Sequence, residues 1–64
     1  MNNVNGAALL ARVKPGCLVT IRREDGGQST GRARWHELMP GAKWLYDGRQ
    51  EHPITESNII NVRD

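Results

Sequence analysis

Four glycine-bearing turn signals divide this chain into short pieces: Pro15-Gly16, Gly26-Gly27, Pro40-Gly41 and Asp47-Gly48. Proline presets φ for the second position of a turn, and glycine accepts the positive φ that the next position often needs. The segments left between them read as short strands bounded by turns. Cys17 to Arg23 alternates, with Cys17, Val19 and Ile21 on one face and Leu18, Thr20 and Arg22 on the other, which is the pattern of a half-buried strand. Glu24 to Ser29 is a polar, glycine-rich hairpin loop.

The second strand is expected over Thr30 to Glu37, with Gly31, Ala33 and Trp35 on one face and Arg32, Arg34 and His36 on the other. The third is expected over Ala42 to Asp47, with Trp44 and Tyr46 opposed to Lys43, Leu45 and Asp47. A four-residue connection, Leu38 to Gly41, then sets Trp35 opposite Trp44 and Ala33 opposite Tyr46. On the reverse face the same count brings Arg34 near Lys43 and Leu45, and Arg32 near Asp47. Arg49 to Ile54 reads as a short fourth strand, and Pro53 suits it to an edge. Thr55 to Asn58 has the capping chemistry of a single helical turn, and Ile59 to Val62 reads as a closing strand.

The chain has 64 residues, enough for one domain with a thin core. Cys17 is the one cysteine, so no internal disulfide is available, and a reducing, cytoplasmic setting is expected. There is no phenylalanine; Trp35, Trp44 and Tyr46 are all the aromatic residues. A core so limited raises the expectation of a homo-oligomer or another partner. No apolar run approaches the ~20 residues of a membrane span. The size suggests a bacterial, phage or plasmid protein. Residues 1–13 form a head, either a short helix over Gly6 to Arg12 capped by Asn5 or a flexible arm; residues 14–64 form the β unit.

Five short strands with one 3₁₀ turn before the last give the expected architecture: all-β, a small five-stranded barrel. The opening Val13-Lys14-Pro15-Gly16, with Val19 beyond Cys17, is similar to the first strand of SH3-like and KOW-type modules. The closing Ile54-Thr55-Glu56-Ser57-Asn58-Ile59 resembles the SH3 segment in which an apolar residue, a 3₁₀ turn and the final strand follow in order. The resemblance covers Val13 to Val62 and implies an SH3-like barrel.

The chemistry is that of binding. Arg22, Arg32, Arg34 and Lys43 fall on the outward faces of neighbouring strands, where clustered donors suit phosphates. Trp35 stands at the edge of that patch. A solvated face with Arg32 paired to Asp47 would show the same residues, since seven acids interleave with nine bases for a net charge of +2. Trp35 and Trp44 read either as core or as an aromatic ligand groove of the SH3 or Tudor-like kind. His36, His52 and Cys17 lack the paired spacing of a zinc site, and no nucleophile elbow, Walker loop or dinucleotide fingerprint occurs, so no metal, cofactor or catalytic residue is expected.

The favoured function is therefore a non-enzymatic module binding nucleic acid through Arg22, Arg32, Arg34, Trp35 and Lys43. The alternative is a protein-interaction module, as a self-assembling barrel, an inhibitor or an adaptor. A third reading comes from resemblance in size and barrel to the type II dihydrofolate reductases. Their pore strand carries Val-Gln-Ile-Tyr; here Ile59-Ile60-Asn61-Val62 lacks both the Gln and the Tyr, which argues against that activity.

Overall fold

The computed structural model describes residues 6–35, 38 and 41–63. Helix α1 spans Gly6–Ala11, and five strands follow: β1 Leu18–Arg22, β2 Gln28–Trp35, β3 Lys43–Tyr46, β4 Glu51–Pro53 and β5 Ile59–Arg63. They form one antiparallel sheet in the order β4-β3-β2-β1-β5. The chain is thus an all-β fold with one short helix. The sheet is not closed: β4 and β5 are its two edges.

All four turn signals fall where the backbone turns. Gly16, Gly26, Gly41 and Gly48 have φ between 90° and 97°, a region that side chains disfavour. The first hairpin is tighter than expected. Arg23 N–H donates to Gly27 O at 2.7 Å and Gly26 N–H to Arg23 O at 3.0 Å, so β2 begins at Gln28 and not at Thr30. Asn5, His36, Glu37 and Pro40, and the expectations that rest on them, lie outside the described residues.

Alternation along β1 is as expected. Val19 and Ile21 are buried and pair with Gly31 and Ser29. With Val13, Cys17, Ala33, Leu45, Ile54, Ile59 and Val62 they make the core, against which Leu9 and Leu10 of α1 pack. The six-residue helix is too short to persist alone; it is held by that packing and by Lys43, whose Nζ donates to Leu10 O at 2.9 Å. At the other end, Asn58 Oδ1 accepts from Thr55 N–H at 2.8 Å, and Asn58 Nδ2 donates to Pro53 O at 2.8 Å. The single helical turn expected between β4 and β5 is present, with a 3₁₀-type bond from Asn58 N–H and an α-type bond from Ile59 N–H, both to Thr55 O.

The register between β2 and β3 differs from expectation by one residue. Ala33 pairs with Leu45, Arg34 with Trp44, Arg32 with Tyr46 and Trp35 with Lys43. The expected pairs Trp35–Trp44 and Ala33–Tyr46 do not form. A slip of one residue moves a whole strand to the other face. Leu45 is fully buried, while Trp44 and Tyr46 share the outer face with Arg34 and Arg32. The reason is steric and polar together. Leu45 is the one aliphatic side chain of β3, and it fills the space over the small Ala33 without carrying an N–H or O–H into the core. Close approach of the backbones then leaves no room for a larger ring on that side: a Cβ on Gly31 would collide with the Tyr46 carbonyl and stand 3.0 Å from Asp47 Cα.

Candidate nucleic-acid interface

The strand pairs define rows that cross the sheet. One row runs Arg63–Leu18–Arg32–Tyr46–Glu51 from β5 to β4, all on the outer face. The next runs Arg34–Trp44–Pro53 over β2, β3 and β4. Among the described strand residues of this face, Arg22, Arg32, Arg34 and Arg63 carry positive charge and Glu51 alone carries negative charge. Arg32 and Tyr46 are direct neighbours, as are Arg34 and Trp44, so cations and aromatic rings alternate.

The cations differ in their commitments. Arg34 Nη1 lies 3.3 Å from Glu51 Oε2, an exposed pair that contributes roughly 0–1 kcal/mol. Arg32 Nη1 donates to Gly16 O at 3.1 Å and meets no carboxylate among the described residues. Arg22 and Arg63 have no ion-pair partner among them either. Arg32 was expected near Asp47, but the register shift sets it against Tyr46. Asp47 is occupied elsewhere: its Oδ1 accepts from Arg49 N–H at 2.8 Å and Gln50 N–H at 2.9 Å, and its Oδ2 lies 2.9 Å from His52 Nε2. The Gln50 and Arg49 amides, then His52, hold the Asp47 carboxyl down to about 2.

The five residues singled out by the sequence do not form one patch. Arg32 and Arg34 lie together. Arg22 is on the same face but at the far end of β1, opposite Gln28, with the hydrogen-bonded Thr20–Thr30 pair between. Trp35 and Lys43 pair with each other in the alternation of Ala33 and Leu45, on the side of the sheet that carries the core and α1. There Trp35 is 44% exposed, with Lys43 Nζ 5.5 Å from its ring centroid. Lys43 was expected to face outward; its strand's one-residue shift turns it toward α1. Conversely, sequence reasoning missed Tyr46 and Arg63. The signal for Tyr46 was present: Leu45, as the sole aliphatic residue in β3, marks the inward parity. Arg63 extends the alternation of Val62 by one step beyond the strand end expected at Val62.

A separate open groove of about 720 Å³ lies between the β1–β2 turn and residues 52–58. Arg22, Arg23, Glu24 and Asp25 line it, and of these Arg23 and Asp25 are paired with each other. Arg23 contacts Asp25 at 3.2 Å and Ser29 Oγ at 2.9 Å, and the Gly27 amide, then Arg23, lowers the Asp25 carboxyl below its ordinary range. His52 is engaged with Asp47. Among the described residues no three His, Cys, Asp or Glu side chains gather to hold a metal ion. Nor is any described helix long and apolar enough to cross a membrane. No protein-family model, curated protein or solved structure matches the chain.

Proposed function

We propose that this chain is a small non-enzymatic binding module that holds nucleic acid on the outer face of its sheet. The observation that carries the reading is the row Arg63–Leu18–Arg32–Tyr46–Glu51 with Arg34 beside it. Arginine forks bind phosphate bidentately, and their clustering on a face whose described strand residues include a single acid gives a local field stronger than the net charge of +2 suggests. The frame is an SH3-like barrel in this reading. Support for that comes from the strand order, from the turn that links β4 to β5, and from the bulge between Thr20 and Ile21 that bends β1 against β5.

The test is a titration of short oligonucleotides at low and moderate salt, with Arg32→Ala/Arg34→Ala as the comparison. Salt-sensitive binding that the double substitution abolishes supports the reading. Binding that is absent, or that the substitution leaves intact, removes it.

A second reading, a protein-interaction module or homo-oligomer, is favoured by the exposure of Trp35 and of Leu38, which is 86% exposed in the β2–β3 connection. Mass in solution and the shift of tryptophan fluorescence on assembly separate it from the first.

A further inference from the structure

Tyr46 is 43% exposed, with Arg32 directly across on β2 and Glu51 directly across on β4. Adjacent strands lie about 4.8 Å apart, so Arg32 and Arg63 stand ~10 Å apart across Leu18, and the Tyr46 ring lies one strand beyond Arg32. A polyanion along this row meets a cation on β5 and another on β2, with the apolar Leu18 of β1 between them, then an aromatic ring, then a carboxylate that repels phosphate. The phosphates are thereby confined to the Arg63–Arg32 side, and what remains for Tyr46 is a base.

Only a base with an uncovered face stacks on such a ring. In a duplex every internal base face is covered by its neighbours, and sequence is read by elements that enter a groove, a helix or a β-ribbon. The described outer face of this sheet carries no such element; α1 packs on the core side. Resting on the nucleic-acid reading above, we propose that the ligand is single-stranded nucleic acid lying across the strands, with its phosphates on Arg63 and Arg32 and one base stacked on Tyr46.

Fluorescence anisotropy with a labelled single strand of about twelve nucleotides and with the matching duplex tests this. The wild type, Tyr46→Val and Tyr46→Phe are compared, each checked for its thermal unfolding. The wild type is expected to prefer the single strand. Tyr46→Val, which keeps a strand former but removes the ring, is expected to lose roughly five- to a hundredfold on the single strand and to leave duplex binding unchanged. Tyr46→Phe keeps the ring and the affinity. Equal binding of single strand and duplex by the wild type overturns the proposal, and this comparison needs no variant to fold. A folded Tyr46→Val that binds the single strand as the wild type does also overturns it. Binding of neither nucleic acid by the wild type overturns the nucleic-acid reading itself, a distinct result.

Discussion

Ala33 faces Leu45 across β2 and β3, and that pairing decides which side of the sheet carries the aromatic rings. Leu45 is fully buried, and Trp44 and Tyr46 turn outward on either side of it. The two faces should therefore differ sharply in their tolerance of substitution. Leu45→Ala leaves a cavity in a small core and is expected to cost about 2–5 kcal/mol. Tyr46→Val stays within about 1 kcal/mol, because valine is itself a strand former. Chemical denaturation of the two variants checks the register, and the reverse order of destabilisation would contradict it.

The turns and strands β1 and β5 were legible because local chemistry alone sets them. Glycine at positions 16, 26, 41 and 48 answers a backbone demand, and Val19, Ile21, Ile59 and Val62 are aliphatic with no competing reading. The β2–β3 register was not legible. Trp44 and Tyr46 are large enough to suggest a buried face, yet each carries a polar group and fits a half-exposed surface equally well. Whether seven or eight residues separate the paired positions decides between the two faces, and the turn signal at Gly41 fixes a bend without fixing that count. The site inherited the ambiguity. Arg32 and Arg34 were placed correctly beside each other because the small Gly31 and Ala33 mark β2's inner face, whereas Lys43 and Tyr46 exchanged sides with their strand.

Gly31 makes a second, sharper test of the same geometry. No side chain fits between β2 and the backbone of Tyr46 and Asp47. Gly31→Ala forces the two strands apart where the Arg32–Tyr46 pair forms. Overpacking of this kind costs typically 1–3 kcal/mol. Thermal unfolding should show that loss, and the outer-face binding described above should weaken with it.

Glu51 opposes the binding assigned to its neighbours. Its carboxylate lies beside the Arg34 guanidinium and across from Tyr46, so it occupies one cation and repels phosphate. Because the Arg34–Glu51 pair is exposed, breaking it costs little stability. Glu51→Gln is expected to tighten binding of a single strand severalfold and to steepen its dependence on salt by roughly the 0.7 that one extra phosphate contact contributes. Titrations at two or more salt concentrations read both effects; unchanged affinity and slope would show that Arg34 takes no part.

Asp47 sets an acid limit to the fold. Its carboxyl accepts the Gln50 and Arg49 amides and faces His52, which lowers its pKa from 3.8 to about 2. A carboxylate with a depressed native pKa binds fewer protons folded than unfolded between those values. Its contribution is complete above the unfolded value and fades as pH falls from about 4 through about 2. Thermal midpoints should drop across that window in the wild type. Asp47→Asn should lower the midpoint at neutral pH and flatten the drop, since its turn loses the ionised acceptor. A variant whose acid profile still overlays the wild type would assign the transition to other carboxylates.

Lys43 separates the face argued here from the patch suggested by alternation alone. Its ammonium caps the C-terminal carbonyl of α1 at Leu10 and lies over Trp35, on the side opposite Arg32 and Arg34. Removing the charge should loosen the helix and leave the outer face intact. Lys43→Gln is expected to cost about 0.5–1.5 kcal/mol, the ordinary net value of one hydrogen bond. Amide exchange should quicken at Arg12 and Val13, whose N–H groups bond to Leu9 and Leu10, and Trp35 fluorescence should shift. Oligonucleotide affinity should stay within about twofold of wild type, because the charge removed faces away from the phosphates. Arg32→Gln, which removes the same charge from the outer face, should lose affinity without quickening exchange in α1. If Lys43→Gln weakens binding as much as Arg32→Gln does, the nucleic acid wraps the β2–β3 end and both faces belong to the site.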